Sequence, residues 1–247
     1  MTESKSFNRV ATIILTILVI IAMLPILLIV IASFSAESSL IRNGYTYWPE
    51  QWSLDAYYYM VKQSIMIVRS YGVSFLVTFV GTALSVIITT MLAYPMSRKS
   101  FKYRNALAFF VFFTMLFNGG IVPSYIMWTK FFHIKNTIWA LIIPSLLMNA
   151  FYIIMMRSFF VSNIPDSLIE AARIDGAGEF RILFRIVLPL SKPMLATLAL
   201  MVGLGYWNDW MNSLYYITDD SLYTLQAILN NIITSITFLQ SSTMGSV

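Results

Sequence analysis

The chain has 247 residues, of which 58% are hydrophobic and 11% charged, against about 25% charged in an average soluble domain. One water-facing core does not absorb that excess of apolar side chains, so a membrane domain is implied. With no cysteine and one histidine, His133, disulfides and thiolate chemistry are excluded, and the net charge of +5 sits in short clusters between apolar runs, unlike a nucleic-acid-binding stripe.

Five segments have the length and composition of spanning helices, about 20 apolar residues each: residues 10–34, 71–96, 106–128, 137–156 and 190–210. The first is too long for the apolar region of a secretory signal and reads as a retained span. Residues 35–70 form an external segment in which Leu54, Tyr57, Tyr58 and Val61 recur at helical spacing, the mark of an interfacial helix. Pro25, Gly119-Gly120 with Pro123, and Pro144 interrupt spans, which calls for neighbouring helices that satisfy the freed backbone groups. Residues 222–239 are apolar on one face but carry Gln226, Asn230 and Asn231, which fits an external amphipathic helix after five crossings or a sixth crossing.

The cations orient the chain. Lys5 and Arg9 precede the first span, Arg98, Lys99, Lys102 and Arg104 fill the turn after the second, and Arg157, Arg173, Arg181, Arg185 and Lys192 follow the fourth. These sides belong to the cytoplasm, and the amino terminus with them.

Residues 157–189 are the one polar cytoplasmic segment long enough to fold. Pro165 suits a first helical position and Asp166 the first turn, and Gly176 suits a carboxyl-terminal cap. Leu168, Ala171, Ala172 and Asp175 share a thin face of the resulting helix, with Glu170 and Arg173 at its rim. A second helical stretch, 179–187, is expected to stop at Pro189.

On the far side, Tyr206, Trp207, Asn208, Asp209 and Trp210 bring aromatics together with amides and a carboxylate. Sugars stack on rings and exchange hydrogen bonds with such groups, and an interfacial aromatic belt has the same composition. Asn118 and Asn149 are polar groups within spans three and four, suited to lining a cavity or to bonding between helices.

Glu170-Ala171-Ala172, three residues, Gly176, nine residues, then Ile186 and, one residue on, Leu188-Pro189 reproduces the EAA signature of binding-protein-dependent importer permeases. Residues 117–123 and 206–210 are similar to the maltose-type carbohydrate permeases, in their polysaccharide and complex-oligosaccharide branch. The resemblance implies an all-α polytopic bundle of the type I ABC importer permease fold, usually with six spans where five are read here. It also implies a multi-pass protein of the bacterial inner membrane, formed as one permease domain over 1–247. Glu170 would pair with a basic residue of an ATPase, Ala171 and Ala172 would let the helix seat deeply, and Gly176 would turn the chain.

Further implied partners are a second homologous permease, two ATPase subunits that bind ATP and Mg, and an extracytoplasmic sugar-binding protein; this chain is expected to bind no cofactor. Rival classes fare worse. No His-Glu-x-x-His run or buried carboxylate pair suggests an intramembrane enzyme, the span centres lack the ionisable groups usual in a secondary transporter, and there is no phosphate loop for a self-powered ATPase.

Overall fold

The computed structural model describes residues 5–62 and 64–244. The domain expected over 1–247 includes residues 1–4, 63 and 245–247, which lie outside the described residues, as does the Lys5 side chain. Helices carry the fold. Two compact units, 1–67 and 68–247, divide the chain.

The first unit is led by α1 (Lys5–Ser33), 29 residues with Pro25 inside. Its length, about 44 Å at 1.5 Å per residue, exceeds the hydrocarbon thickness, and its apolar side chains stay exposed along nearly its whole course. After α2 (Glu37–Asn43), an antiparallel bridge pairs Ser35 with Trp52. The Ser53 hydroxyl accepts the Asp55 amide at 2.9 Å and opens α3 (Asp55–Lys62), the helix whose spacing is visible in the sequence. Tyr57 fastens it to the end of α1 through a 2.9 Å hydroxyl contact with Ser33 and a 5.1 Å stack on Phe34.

The second unit takes in nearly all of α4 (Ser64–Ser97), 34 residues. Next come α5 (Arg104–Leu116) and α6 (Ile121–Ile126), the latter prolonged by a π turn over Met127–Phe131. The bend between the two halves is 115°. The third expected span is therefore broken at residues 117–120. There the Asn118 carboxamide oxygen accepts the Gly120 amide at 2.9 Å.

The fourth expected span departs most from the sequence expectation. Residues 137–156 do not form one helix: α7 (Trp139–Ile142) ends after four residues, and α8 (Ala150–Asn163) starts only after the turn containing Pro144 and Ser145. Proline removes an amide and disfavours helix in the residue before it. In an apolar run that break needs partners for its carbonyls, and they come from far along the chain. Tyr206 donates its hydroxyl to the Ile142 carbonyl at 2.8 Å, and the Asn212 amide donates to the Pro144 carbonyl at 3.1 Å.

Then follow α9 (Asp166–Ile174), α10 (Glu179–Ile182), a π turn (Leu183–Val187), α11 (Leu188–Leu190) and α12 (Lys192–Trp207). Pro189 does not stop the helix. The backbone stays helical from the π turn into α11, and the chain bends by 82° only at Ser191. The chain closes with α13 (Met211–Tyr216) and α14 (Leu225–Met244), whose first amide is taken by the Ser74 hydroxyl at 2.9 Å. Met96, Leu141, Ile153, Met156, Phe160 and Leu198 are among the fully buried side chains of the core.

Among the described residues two helical stretches, Phe7–Ser33 and Ile65–Ser97, are long and apolar enough to cross a membrane, and the two bent pairs would raise that to four. Helix α14 is 20 residues long and supplies the segment read as either an external helix or a further crossing.

Candidate functional site

The nine-residue α9 is specified at both ends. It begins at Asp166, one residue later than Pro165 alone suggests, because Pro165 is extended (φ −59°, ψ 136°). At its end Gly176 has φ +80°, a region L side chains avoid. The Ala177 amide bonds the Ala172 carbonyl at 2.9 Å and the Gly176 amide bonds that of Arg173 at 3.0 Å. This is the Schellman pair of bonds that a glycine stop permits.

One face of α9 packs inward through Ile169 and Ala172, which are 3% and 8% exposed. Ala171, Glu170, Arg173, Asp175 and Gly176 lie exposed, as do Leu168 and Ile174, the latter at 86%. The thin face read from the sequence is thus divided. Ala172 holds the helix to its own chain, leaving Ala171 as the alanine open to a partner, and Ile174 joins the outward surface.

Ion pairs brace α9 at each end. The Lys99 ammonium lies 2.7 Å from Asp166, and Arg98 approaches the same carboxylate at 3.8 Å. A hydrogen bond from Lys99 holds the Asp166 carboxyl below the usual range. Arg173 donates to Glu179 at 2.7 and 3.0 Å and to the Ser100 hydroxyl at 3.1 Å, while Tyr94 donates to the other Glu179 oxygen at 2.7 Å. Lys99 and Ser100, in the turn just after α4, therefore hold the two ends of α9, and Tyr94 of α4 holds Glu179 at the start of α10. The roles of Arg98 and Lys99 escaped the sequence reading, since Asp166 lies more than 60 residues away, and so did that of Glu179, whose partners are Tyr94 and the nearby Arg173; the cation cluster after span two was the signal.

The residues expected to line a substrate path fall into two groups. Tyr206 is 2% exposed and seals the break before α8, so it belongs to the core. Asn149 caps α8 by accepting the Phe151 amide at 2.9 Å, and Asn118 binds its own turn, so neither donates to a neighbouring helix among the described residues. Asn208 bonds the Leu204 carbonyl of its own helix, and Asp209 accepts the amides of Met211 and Asn212 at the start of α13. Trp210 is 36% exposed beside Asn230 and Asn231.

Trp207 alone of this set borders an open groove of about 570 Å³ between α4 and α12, with Phe75, Thr78, Thr82 and Gly203. Its ring meets Phe75 edge-on at 5.2 Å. The Thr78 and Thr82 hydroxyls are buried without a hydrogen-bond partner among the described residues, as are those of Ser85 and Thr89. The spacing 78, 82, 85, 89 in an otherwise apolar helix is a signal that sequence reading passed over.

An all-helical polytopic chain with a braced, exposed EAA helix defines a membrane transport subunit, and the comparisons agree. Residues 83–246 match the family described as binding-protein-dependent transport system inner membrane component, and the chain belongs to that family. It is 40% identical to Protein LplC of Bacillus subtilis, over 86% of this chain and 70% of that one. It is 37% identical to the polygalacturonan/rhamnogalacturonan transport system permease protein YtcP of the same organism, over 99% and 85%. A bacterial ABC transporter involved in the import of the acidic polysaccharide alginate superposes with a TM-score of 0.80 at 29% identity, over 94% of this chain and 82% of that one. The fold is the type I ABC importer permease fold.

Proposed function

We propose that this chain is the membrane-spanning subunit of an ATP-driven importer of an oligosaccharide or polysaccharide. It works by alternating access, and the power comes from separate ATPase subunits that bind ATP and Mg. The observation that carries the reading is the complete EAA spacing from Glu170 to Pro189 on a helix that is capped, exposed on one face and tied at both ends to the turn that follows α4. A load applied to Ala171 and Ile174 by a docked ATPase reaches the end of α4 through charge-assisted hydrogen bonds, which are about twice as strong as neutral ones. Coupling of this kind needs a rigid element with two positions, and a helix held at both ends meets the first requirement.

Glu170, exposed on α9 and in no ion pair among the described residues, is the rim charge for a basic group of the ATPase. A second homologous permease completes the path, an extracytoplasmic binding protein delivers the sugar, and the amino terminus faces the cytoplasm. The Trp207 groove offers an aromatic ring for the C–H faces of a sugar, while the Thr78 and Thr82 hydroxyls beside it are buried. The relatives named for sugar transport support the substrate class.

The test is ATP-dependent uptake of labelled oligosaccharide by proteoliposomes holding this chain, its partner permease, the ATPases and the binding protein. Glu170→Lys is expected to abolish uptake while the subunit stays folded. Wild-type uptake in that variant would refute the docking role of α9. Failure of every tested sugar to stimulate ATP hydrolysis in the wild type would refute the import reading.

A further inference from the structure

A cavity of about 390 Å³ opens between the carboxyl-terminal end of α4 and the first turns of α10, walled by Met91, Pro95, Phe101, Phe180 and Leu183, with Arg98 and Arg173 also on its lining. An apolar wall beside two guanidinium groups is unusual, because burying a cation without partners is costly.

Arg98 is 4% exposed. Its Nε donates to the Ser97 hydroxyl at 2.9 Å, its Nη2 to the Phe160 carbonyl at 3.4 Å, and its guanidinium lies 5.4 Å from the Tyr94 ring centroid. Its Nη1 is buried with no hydrogen bond, and the Asp166 oxygen at 3.8 Å is beyond bonding reach. Burial holds the pKa of this guanidinium below the ordinary arginine value.

The one carboxylate on the cavity lining, Glu179, is already engaged: Arg173 holds one oxygen and Tyr94 the other. Two cations and one carboxylate line the cavity, Asp166 stands off the lining at 3.8 Å from Arg98 Nη1, and Nη1 is left without a hydrogen bond among the described residues. Arg98 also directly follows Ser97, the last residue of a helix long enough to cross a bilayer, and the ends of such helices meet the headgroup region.

We propose that this cavity binds an anionic phospholipid, whose phosphate accepts from Arg98 and whose acyl chain covers the apolar wall. Basic pockets at the cytoplasmic ends of spans take such headgroups. A free phosphate would satisfy Nη1 but leave Met91, Pro95, Phe101, Phe180 and Leu183 wet, so the lipid uses the whole site. Because Arg98 and Arg173 also hold α9, a bound lipid stiffens the link between α9 and α4. That consequence rests on the transport reading, whereas the binding does not.

Native mass spectrometry of the full chain in detergent, titrated with phosphatidylglycerol or phosphatidylcholine, reads the binding directly and leaves the sugar-import reading untouched if it fails. Wild type is expected to retain phosphatidylglycerol in preference. Arg98→Gln should weaken that retention about tenfold, the worth of one charge-assisted hydrogen bond. Phe180→Ser, at a position 70% exposed and so compatible with folding, should weaken it severalfold, and Lys102→Gln, off the lining, should leave it unchanged. Equal retention of both lipids, no loss in Phe180→Ser, or an equal loss in Lys102→Gln would overturn the proposal. So would displacement of the lipid by millimolar inorganic phosphate.

Discussion

Gly81 is where α4 makes room for the ring that seals the broken fourth segment. A Cβ built on it would lie 2.5, 2.6 and 2.8 Å from three carbons of the Tyr206 ring, about 1 Å inside ordinary carbon–carbon contact. The ring has nowhere to retreat, since Tyr206 is 2% exposed and its hydroxyl is held by Ile142 at 2.8 Å. Gly81→Ala should therefore cost about 1–3 kcal/mol in overpacking, plus about 0.6 kcal/mol for the strained hydrogen bond, the average for such bonds between helices in membranes. Tyr206→Phe alone should cost about 1 kcal/mol, because the hydroxyl leaves and the carbonyl is orphaned while the ring stays. Tyr206→Leu frees the space, so Gly81→Ala should cost at least 1 kcal/mol less in that background. Equilibrium unfolding in SDS micelles, followed by circular dichroism, measures all four variants. A Gly81→Ala variant within about 0.5 kcal/mol of wild type, or strict additivity with Tyr206→Leu, would refute the packing argument.

Gly176→Ala should destabilise by about 1–2 kcal/mol, since it places a side chain at φ +80°, whereas Gly178→Ala, at φ −72° with open space around it, should change little; thermal melts of the two compare them directly. Asn149→Ala should cost about 1 kcal/mol as a lost helix cap while leaving sugar uptake intact, because its carboxamide is spent on Phe151; a selective loss of uptake at normal stability would return it to the substrate path. Asp166→Asn should lose about 0.5 kcal/mol at neutral pH, the ordinary worth of an exposed ion pair. The folded Asp166 carboxyl titrates below its unfolded value, so that stability is present above about pH 4 and disappears as pH falls through the folded pKa. Melts of wild type and variant should therefore converge in acid, and a gap that widened there would contradict the pairing with Lys99.

The helix bearing the EAA residues was legible because its signals are local: an acid in the first turn, apolar spacing and a glycine stop, all within a dozen residues. Even so, its inward face was misread in part. Ile169 sets that face, and Ala172, three residues on, turns with it. The break in the fourth segment was marked in the sequence by Pro144, but how far it unwinds the apolar run 137–156 was not legible. What makes it tolerable is a tyrosine and an asparagine more than 60 residues further on. The same distance hid the true role of Tyr206, which was grouped by composition with Trp207 and Asp209. Residues 118 and 149 were read as intramembrane amides: Gly119-Gly120 and Pro144 signalled the interruptions, but not that the two carboxamide oxygens would accept backbone amides there.

The clasp between Tyr206 and Ile142, together with that between Asn212 and Pro144, has a bearing on where such a machine flexes. A kinked segment is a natural place to look for a joint, yet here the kink is stitched to residues far along the chain by two buried bonds, each of which must rupture before it opens. The corner at Ser191, where the chain turns by 82° between α11 and α12, carries no such stitch to the residues that close the kink. Swinging there would carry the sewn pair along as a single body.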